Sequence, residues 1–165
     1  MIPIISIVGR SNAGKTTLIE KLIPELIRRG YRVATIKHDV HGFAVDHEGK
    51  DSWRHKKAGA HTAVISSPWK VAVIEDVERD HDPAELRDRY IRDVDIILSE
   101  GYKGSSHPKI EVFRAALESN LLCSPRDNLL IALASDQPLK AGVPCFNIND
   151  VMGLVDLIER EFLTP

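Results

Sequence analysis

The sequence predicts an α/β protein with a mostly parallel, doubly wound sheet, flanking helices and a short antiparallel edge region. Two observations lead to this fold class. Apolar runs of strand length alternate with segments of helical periodicity, and the first run leads into a glycine-containing loop followed by an amphipathic helix. We expect one domain over 1–165, because 165 residues with a hydrophobic fraction of 43% can bury a core of their own.

The N-terminal elements have the clearest patterns. Residues 4–8 are nearly all apolar and β-branched, as in a central strand buried on both faces. After Gly14 the apolar residues recur at helical spacing up to Gly30, a residue type suited to the position just past a helix end. Pro24 lies inside this helix and predicts a bend in the turn before it. The next predicted elements are a strand at 32–37 and a short helix at 50–58.

The middle of the chain predicts a hairpin and a well-capped helix. Strands at 62–66 and 70–75 are separated by a turn and predict a hairpin at a sheet edge. Asp82, Pro83 and Glu85 supply an N-cap, a proline at the first helical position and an acid two residues later. The remaining predicted elements are a buried strand at 94–99, a weakly alternating edge strand at 109–113, a buried strand at 129–134, a strand at 143–146, and a last helix capped by Asn149 or Asp150.

The loop after the first strand matches the full phosphate-binding pattern G-x-x-x-x-G-K-[ST]. Its glycines let backbone N–H groups point at phosphate oxygens, and the helix N-terminus adds its positive dipole. The lysine is expected at the β- and γ-phosphates, the following hydroxyl on Mg²⁺, and the next threonine at the α-phosphate. The fold class is therefore that of a P-loop NTPase. The predicted nucleotide-binding residues are Gly9, Arg10, Ser11, Asn12, Ala13, Gly14, Lys15, Thr16 and Thr17.

Further carboxylates end predicted strands, and the carboxyl ends of parallel strands form the ligand edge of such sheets. Glu100 follows a buried strand and is expected, together with Thr16, to hold Mg²⁺, which prefers oxygen ligands. Asp39 is the competing acid, as a water-orienting or magnesium-shell group. Asp136 is placed to accept from the guanine N1–H and exocyclic amine, although aspartates also open ordinary turns.

Five of the seven histidines lie between His38 and His61, which raises a zinc hypothesis. We favour polar loop histidines near an anionic ligand, because the segment is not helical and no cysteine is near. The stretch 46–57 is basic and hydroxyl-rich, and is interpreted as a solvated helix face, a second anion-binding surface or a subunit contact with Trp53 as a buried anchor.

Taken together, these motifs resemble the MobB family, the molybdopterin-guanine dinucleotide biosynthesis adaptor proteins B. The P-loop is shared with many NTPases, whereas the Gly49-Lys50-Asp51-Ser52 and Glu100-Gly101-Tyr102-Lys103 blocks are far more specific. The resemblance covers nearly the whole chain. Its blocks are the P-loop, Lys37-His38-Asp39 with His41, Asp46 with Gly49-Lys50-Asp51-Ser52 and Arg54, Ala58-Gly59-Ala60, Glu100-Gly101-Tyr102-Lys103, Pro108-Lys109-Ile110-Glu111-Val112 and Ala134-Ser135-Asp136.

The resemblance implies a GTP-binding protein with weak intrinsic GTPase activity, acting as a homodimer. It would assist the guanylyltransferase that attaches GMP to molybdopterin. Guanine specificity and the pathway come from the resemblance alone. The basic stretch then offers a surface for a pterin phosphate or for the partner enzyme, with Lys50, Asp51, Arg54 and Lys57 as its predicted residues.

Three alternatives remain open from the sequence: a P-loop small-molecule kinase, a metallochaperone GTPase, and a binding module that holds nucleotide without turnover. The net charge of −2 argues against nucleic acid or an anionic membrane as partner. No apolar run approaches the roughly 20 residues that span a bilayer. Cys123 and Cys145 lack metal-type spacing and are expected to be reduced thiols, so a cytoplasmic location is predicted.

Overall fold

The computed structural model of the protein describes residues 1–117, 119–124 and 127–164. The chain forms two compact units, one comprising Met1–His38 and Asp82–Pro165, the other Asp39–His81. Whether the two units act as the single domain expected from the sequence stays a prediction. Among the described residues, no helix is both long enough and apolar enough to cross a bilayer.

The first unit is built on a six-stranded sheet in the order β2-β5-β1-β6-β7-β8, and every neighbouring pair is parallel. This confirms the predicted mostly parallel sheet. Its strands are β1 Ile4–Val8, β2 Val33–Lys37, β5 Ile96–Glu100, β6 Lys109–Phe113, β7 Leu130–Ser135 and β8 Cys145–Asn147. Its helices are α1 Lys15–Arg28, α3 Pro83–Tyr90 and α4 Val151–Ile158, the last extended by a π-helical turn, Glu159–Leu163.

Helices cover both faces of this sheet, as a doubly wound fold requires. Alternate residues of β1 point to opposite faces. Ile5 and Ile7 belong to the core cluster that also contains residues of α1 and α4, whereas Ile4 packs with Ile97 and with residues of α3. All five residues of β1 are buried, which explains why its sequence is an uninterrupted apolar run apart from Ser6.

The prediction that 109–113 forms an edge strand is wrong. All five residues of β6 are buried between β1 and β7. The prediction failed because Lys109 and Glu111 are charged, and charged residues suggest an exposed strand. In the fold both side chains are buried and have partners within the protein. Lys109 Nζ lies 3.5 Å from the Asp127 carboxylate, and Glu111 accepts backbone N–H groups from the loop that follows the strand. Polar residues can occupy a central strand when every such group is paired.

The predicted helix ends are confirmed. After α1, Gly30 has φ +95°, and the backbone N–H groups of Gly30 and Tyr31 bond to carbonyls of the last turn in the Schellman arrangement. Helix α1 runs through Pro24 as one element, and the predicted bend stays untested. The Asp82 side chain accepts from Ala84 N–H, and Glu85 completes the capping box of α3. Of the two candidate caps for α4, the Asp150 side chain caps the helix.

The second unit contains α2, Asp51–Lys57, and the strands β3, Thr62–Ser67, and β4, Lys70–Glu75. The two strands pair antiparallel, which confirms the hairpin, but they form a separate two-stranded sheet rather than an edge of the main one. Lys56 Nζ donates to the carbonyls of Ala60 and His61 and contacts the Asp76 carboxylate at 2.6 Å. One lysine thus links α2 to the residues just before β3 and to the residue just after β4.

A charge network joins α1 to the C-terminal helix. Arg29 contacts three carboxylates, those of Glu25, Asp156 and Glu159, at 2.7–2.8 Å. Hydrogen bonds from Arg28 and Arg29 lower the pKa of Glu25 from 4.5 to about 2. The Tyr31 hydroxyl and Arg29 likewise lower the pKa of Glu159. A network of this kind contributes more than isolated surface pairs do.

This network predicts an acid-sensitive contribution to stability. A carboxylate whose pKa is lowered in the folded state stabilises the fold above its unfolded pKa, and the contribution is lost as pH falls through the folded pKa. Glu25→Gln should therefore lower the melting temperature at neutral pH, and its difference from the parent should shrink between pH 4.5 and about pH 2. Thermal unfolding followed by circular dichroism measures this. Glu20→Gln, exposed on the same helix, is the control, and a Glu25→Gln deficit that persists at low pH would contradict the assignment.

Candidate functional site

The loop between β1 and α1 has the backbone conformation that its glycines predict. Gly9 has φ +144° and Gly14 has φ +103°, values that side chains disfavour. A Cβ on Gly9 would lie 2.5 Å from the carbonyl oxygen of Val112 in β6. Gly9 is therefore needed both for its dihedral angle and because the neighbouring strand passes so close.

Lys15 closes the loop from the helix side. Its ammonium donates to the carbonyl oxygens of Gly9 and Arg10 at 3.1 and 2.9 Å. The side chain thus lies across the first half of the loop, which is where a P-loop lysine meets the β- and γ-phosphates. Ala13 is fully buried and belongs to the main core cluster, so packing fixes the second half of the loop.

The two predicted magnesium residues contact each other. The Thr16 hydroxyl donates to Glu100 Oε1 at 2.8 Å. Glu100 ends β5, where Ile7 of β1 is its partner in the sheet, and the Gly101 N–H bonds to the Ile7 carbonyl. A hydroxyl and a carboxylate within hydrogen-bond distance at the mouth of the loop are the oxygen ligands that Mg²⁺ takes in such proteins. These residues suit the ion.

Asp136 lies just past β7, at the same edge of the sheet. One of its carboxylate oxygens accepts the Ala115 N–H at 3.0 Å, and the other lies 4.0 Å from the Arg114 guanidinium. Arg114 also donates from Nε to the Ala13 carbonyl at 3.2 Å. This arginine links the phosphate loop to Asp136, and sequence reasoning missed it. The sequence does show that Arg114 directly follows β6. Because 109–113 was predicted to be an edge strand, however, the residue after it was not considered as part of the site.

Comparison with known proteins identifies the family. The family model for MobB, molybdopterin guanine dinucleotide synthesis protein B, matches residues 4–136. The chain belongs to the MobB family. Molybdopterin-guanine dinucleotide biosynthesis adapter proteins of Haemophilus influenzae and Escherichia coli are 38% and 39% identical to it, each over 96% of this chain and over 89% and 92% of their own lengths. The fold matches a crystal structure of molybdopterin-guanine biosynthesis protein B with a TM-score of 0.77 and 30% identity, over 98% of this chain and 99% of that one.

Other predicted site residues of this MobB-family chain lie in the second unit. Lys50, Asp51, Arg54 and Lys57 are all exposed on or beside α2. Arg54 lies 3.8 Å from the Asp51 carboxylate, and the Lys57 ammonium lies 4.5 Å from the ring centroid of Trp53. Trp53 is partly buried within this chain and carries the Lys57 cation on its ring face, and its expected role as the anchor of a subunit contact stays a prediction. The charged stretch forms an exposed surface.

Asp39 begins the second unit and is exposed. Its carboxylate accepts the backbone N–H of His41 at 3.0 Å, a local turn contact. Its expected magnesium-shell role stays a prediction. The zinc hypothesis for the histidine-rich loop gains no support. The described residues contain no group of three or more His, Cys, Asp or Glu side chains arranged to hold a metal ion.

The loop geometry predicts which substitutions weaken nucleotide binding. Lys15→Ala and Thr16→Ala should each weaken magnesium–nucleotide binding at least about tenfold while the fold stays intact, because they remove charge-assisted contacts to phosphate and metal. Glu100→Gln should lower the magnesium dependence of binding. Calorimetric titration with and without Mg²⁺ measures both effects.

Lys21→Ala, on the same helix, is the matched control for the lost charge, since its ammonium donates to Asn149 instead. Binding by the Lys15 and Thr16 variants equal to that of the parent would show that the phosphates lie elsewhere. Unchanged magnesium dependence in Glu100→Gln would transfer the metal role to Asp39.

Proposed function

We propose that this protein binds GTP with Mg²⁺ at the P-loop and acts as an adaptor in molybdopterin guanine dinucleotide biosynthesis. The observation that carries the nucleotide site is the contact between Thr16 and Glu100 at the mouth of a complete P-loop. The pathway is supported by family membership and by the adapter names of its relatives in Haemophilus influenzae and Escherichia coli. The partner is then a molybdopterin guanylyltransferase, which attaches GMP to molybdopterin.

The side chains gathered at the loop support binding more than rapid turnover. Lys15 and Arg114 donate to loop carbonyls and Thr16 donates to Glu100, an arrangement that suits phosphate and metal binding rather than activation of an acceptor. We therefore propose weak GTPase activity, far below the roughly 10 s⁻¹ of a typical enzyme. This suits a protein whose output is made by a partner. Cys123 and Cys145 are free thiols, which supports the proposed cytoplasmic location.

The kinase alternative requires arginines that can close over the phosphates. The arginine cluster after the P-loop belongs instead to the structure of α3. Arg87 is buried and contacts the Asp88 carboxylate at 2.7 Å, and Arg92 donates to the carbonyls of Arg87 and Asp88. The metallochaperone alternative has no support from the described residues, which contain no cluster of metal-binding side chains. The adaptor role is favoured over both.

Asp136 is proposed to select guanine over adenine. Its carboxylate lies at the ligand edge of the sheet, and Arg114 connects it to the phosphate loop. A carboxylate can accept from the N1–H and the amine of guanine, whereas adenine has no matching donors and would leave it unpaired. Leaving a desolvated polar group unpaired is costly, so this contact would select strongly.

Asp136→Asn should reduce GTP affinity and shift preference toward xanthosine triphosphate, whose C2 carbonyl accepts from an amide. We expect a change in the GTP-to-xanthosine triphosphate affinity ratio of at least about tenfold, the scale of one hydrogen bond to a charged group. Competition titrations against a fluorescent nucleotide measure it. Asp93→Asn, which alters an exposed carboxylate outside the P-loop, is the control. Retained preference for GTP in Asp136→Asn would leave backbone contacts as the source of specificity.

We further propose that the protein is a homodimer, formed through the hairpin of the second unit. Val64 and Val73 are cross-strand partners and Val71 lies on the same face, and all three are at least 48% exposed. Trp69, at the hairpin turn, is 92% exposed. A two-stranded sheet is not stable alone in water, and a contiguous exposed apolar face marks an interaction surface. A second copy presents the same face, as two-fold dimers require.

Charged substitutions on the hairpin should therefore dissociate the dimer. Val64→Lys combined with Val73→Lys places charges at the centre of the proposed interface, and sedimentation should shift from dimer to monomer. Ile27→Lys, at an exposed apolar position on α1, should leave the dimer intact. A monomeric parent protein, or a hairpin variant that remains dimeric, would refute this interface.

The basic surface on α2 is proposed to meet an anionic pterin phosphate or the partner enzyme. Purified protein should raise the yield of dinucleotide cofactor made by a molybdopterin guanylyltransferase. Replacing Lys50, Arg54 and Lys57 with alanine should reduce that gain and leave GTP affinity nearly unchanged, because these charges lie outside the P-loop. Product is measured by chromatography. Glu48→Ala, which removes an exposed acidic charge from the same stretch, is the control.

Two outcomes separate this proposal from its main rival. Stimulation by the parent that is lost on Lys15→Ala supports an adaptor that works through bound nucleotide. No stimulation under any nucleotide condition, together with fast phosphate transfer to a small acceptor, would establish a kinase instead.

A further inference from the structure

A cleft of about 510 Å³ adjoins the first half of the P-loop. The volume lies within the range of small-molecule sites. Its lining combines two cationic side chains and loop backbone with two leucines. Its lining residues are Gly9, Arg10, Ser11, Lys103, Leu117 and Leu122.

The position of Lys15 shows which end of the nucleotide this cleft adjoins. Its ammonium reaches the carbonyls of Gly9 and Arg10, so the first half of the loop lies at the β/γ-phosphate end. The Arg114–Asp136 pair, proposed for the base, instead contacts the loop at Ala13. The cleft therefore lies beyond the terminal phosphate, on the side away from the base.

The chain turns sharply after β5 to bring Lys103 to this cleft. Gly101 has φ +96° and Tyr102 has φ +56°, an unfavourable value for a residue with a large side chain. The ring of Tyr102 stacks on His38 with centroids 4.3 Å apart, and its carbonyl accepts the Ser105 N–H. Such backbone conformations persist only where the surroundings enforce them, and they concentrate at functional sites.

One apolar part of the lining is held in place by a buried carboxylate. Glu111 is fully buried in β6, and its two oxygens accept the N–H groups of Leu122 and Cys123 at 2.6 and 2.8 Å. These bonds hold this part of the loop after β6 against the sheet, and Leu122 lines the cleft. The position of Leu122 is therefore fixed by the fold.

We propose that this cleft is a second ligand site, for a phosphate monoester attached to a flat ring, beside the terminal phosphate of the nucleotide. Arg10 and Lys103 supply the charge for the monoester, and Leu117 and Leu122 supply the apolar contact for the ring. Lys103 is exposed, and its ammonium has no partner within the described part of the chain. The inference rests on the proposed nucleotide site for its location, and a phosphorylated pterin is a ligand of this class.

The test uses 4-nitrophenyl phosphate as the probe, titrated calorimetrically into protein saturated with Mg²⁺ and β,γ-imido-GTP. The parent should show saturable binding, with inorganic phosphate and 4-nitrophenol each binding more weakly. Lys103→Ala should weaken probe binding at least about fivefold, and Leu122→Ala at least about threefold, as loss of one charge-assisted contact or one apolar contact predicts. Both should keep nucleotide affinity within about twofold.

Lys140→Ala, an exposed lysine outside the cleft, is the charge-matched control and should bind the probe like the parent. The proposal fails if the parent shows no probe binding, or if Lys103→Ala and Leu122→Ala bind the probe as tightly as the parent. It also fails if nucleotide displaces the probe, since the probe then occupies the phosphate loop. Two further titrations of the parent separate failure of the cleft from failure of the GTP site. The first measures nucleotide binding alone, and the second measures probe binding without nucleotide.

Discussion

The register between β1 and β5 is the constraint on which the site depends. Ile7 is paired with Glu100, and the Gly101 N–H continues the ladder to the Ile7 carbonyl. Because side chains alternate along a strand, a slip of one residue would turn Glu100 to the opposite face, away from Thr16. The register is determined by packing, because β1 is buried on both faces and a slip would carry each side chain into space that is fitted to a different side chain. The hydrophobic core thus fixes the distance between a hydroxyl and a carboxylate that the sequence separates by 84 residues.

Much of the fold was predictable because its signals are local. The apolar run of β1, the stripe of α1 ending at Gly30, and the cap of α3 at Asp82 each follow from residues within one or two turns. The P-loop was predictable for the same reason, since backbone geometry and phosphate chemistry restrict four positions within eight consecutive residues. Glu100 was predictable because parallel strands end at a common edge.

The features that sequence reasoning missed depend on contacts between distant segments. β6 was placed at an edge because Lys109 and Glu111 look incompatible with burial, and only the fold shows the partners that pair them. Arg114 was missed for the same reason, since its importance comes from the Ala13 carbonyl and Asp136 together. The division into two units could not be predicted either. The hairpin strands have the alternating pattern of an ordinary edge strand, and the pattern does not tell which strands they pair with.

The two thiols of the chain differ in a way that makes the protein easy to label. Burial, reinforced by the neighbouring Glu111 carboxylate, raises the pKa of Cys123 to about 12, so this group stays protonated and inert toward alkylating reagents at neutral pH. Cys145 is partly exposed on β8, with its sulfur 3.9 Å from the carbonyl of Gln137, the residue after Asp136. A maleimide dye would therefore attach at a single position, in contact with the residue that follows the proposed guanine contact. The chain already carries an attachment point for a fluorescent reporter of nucleotide binding near that residue.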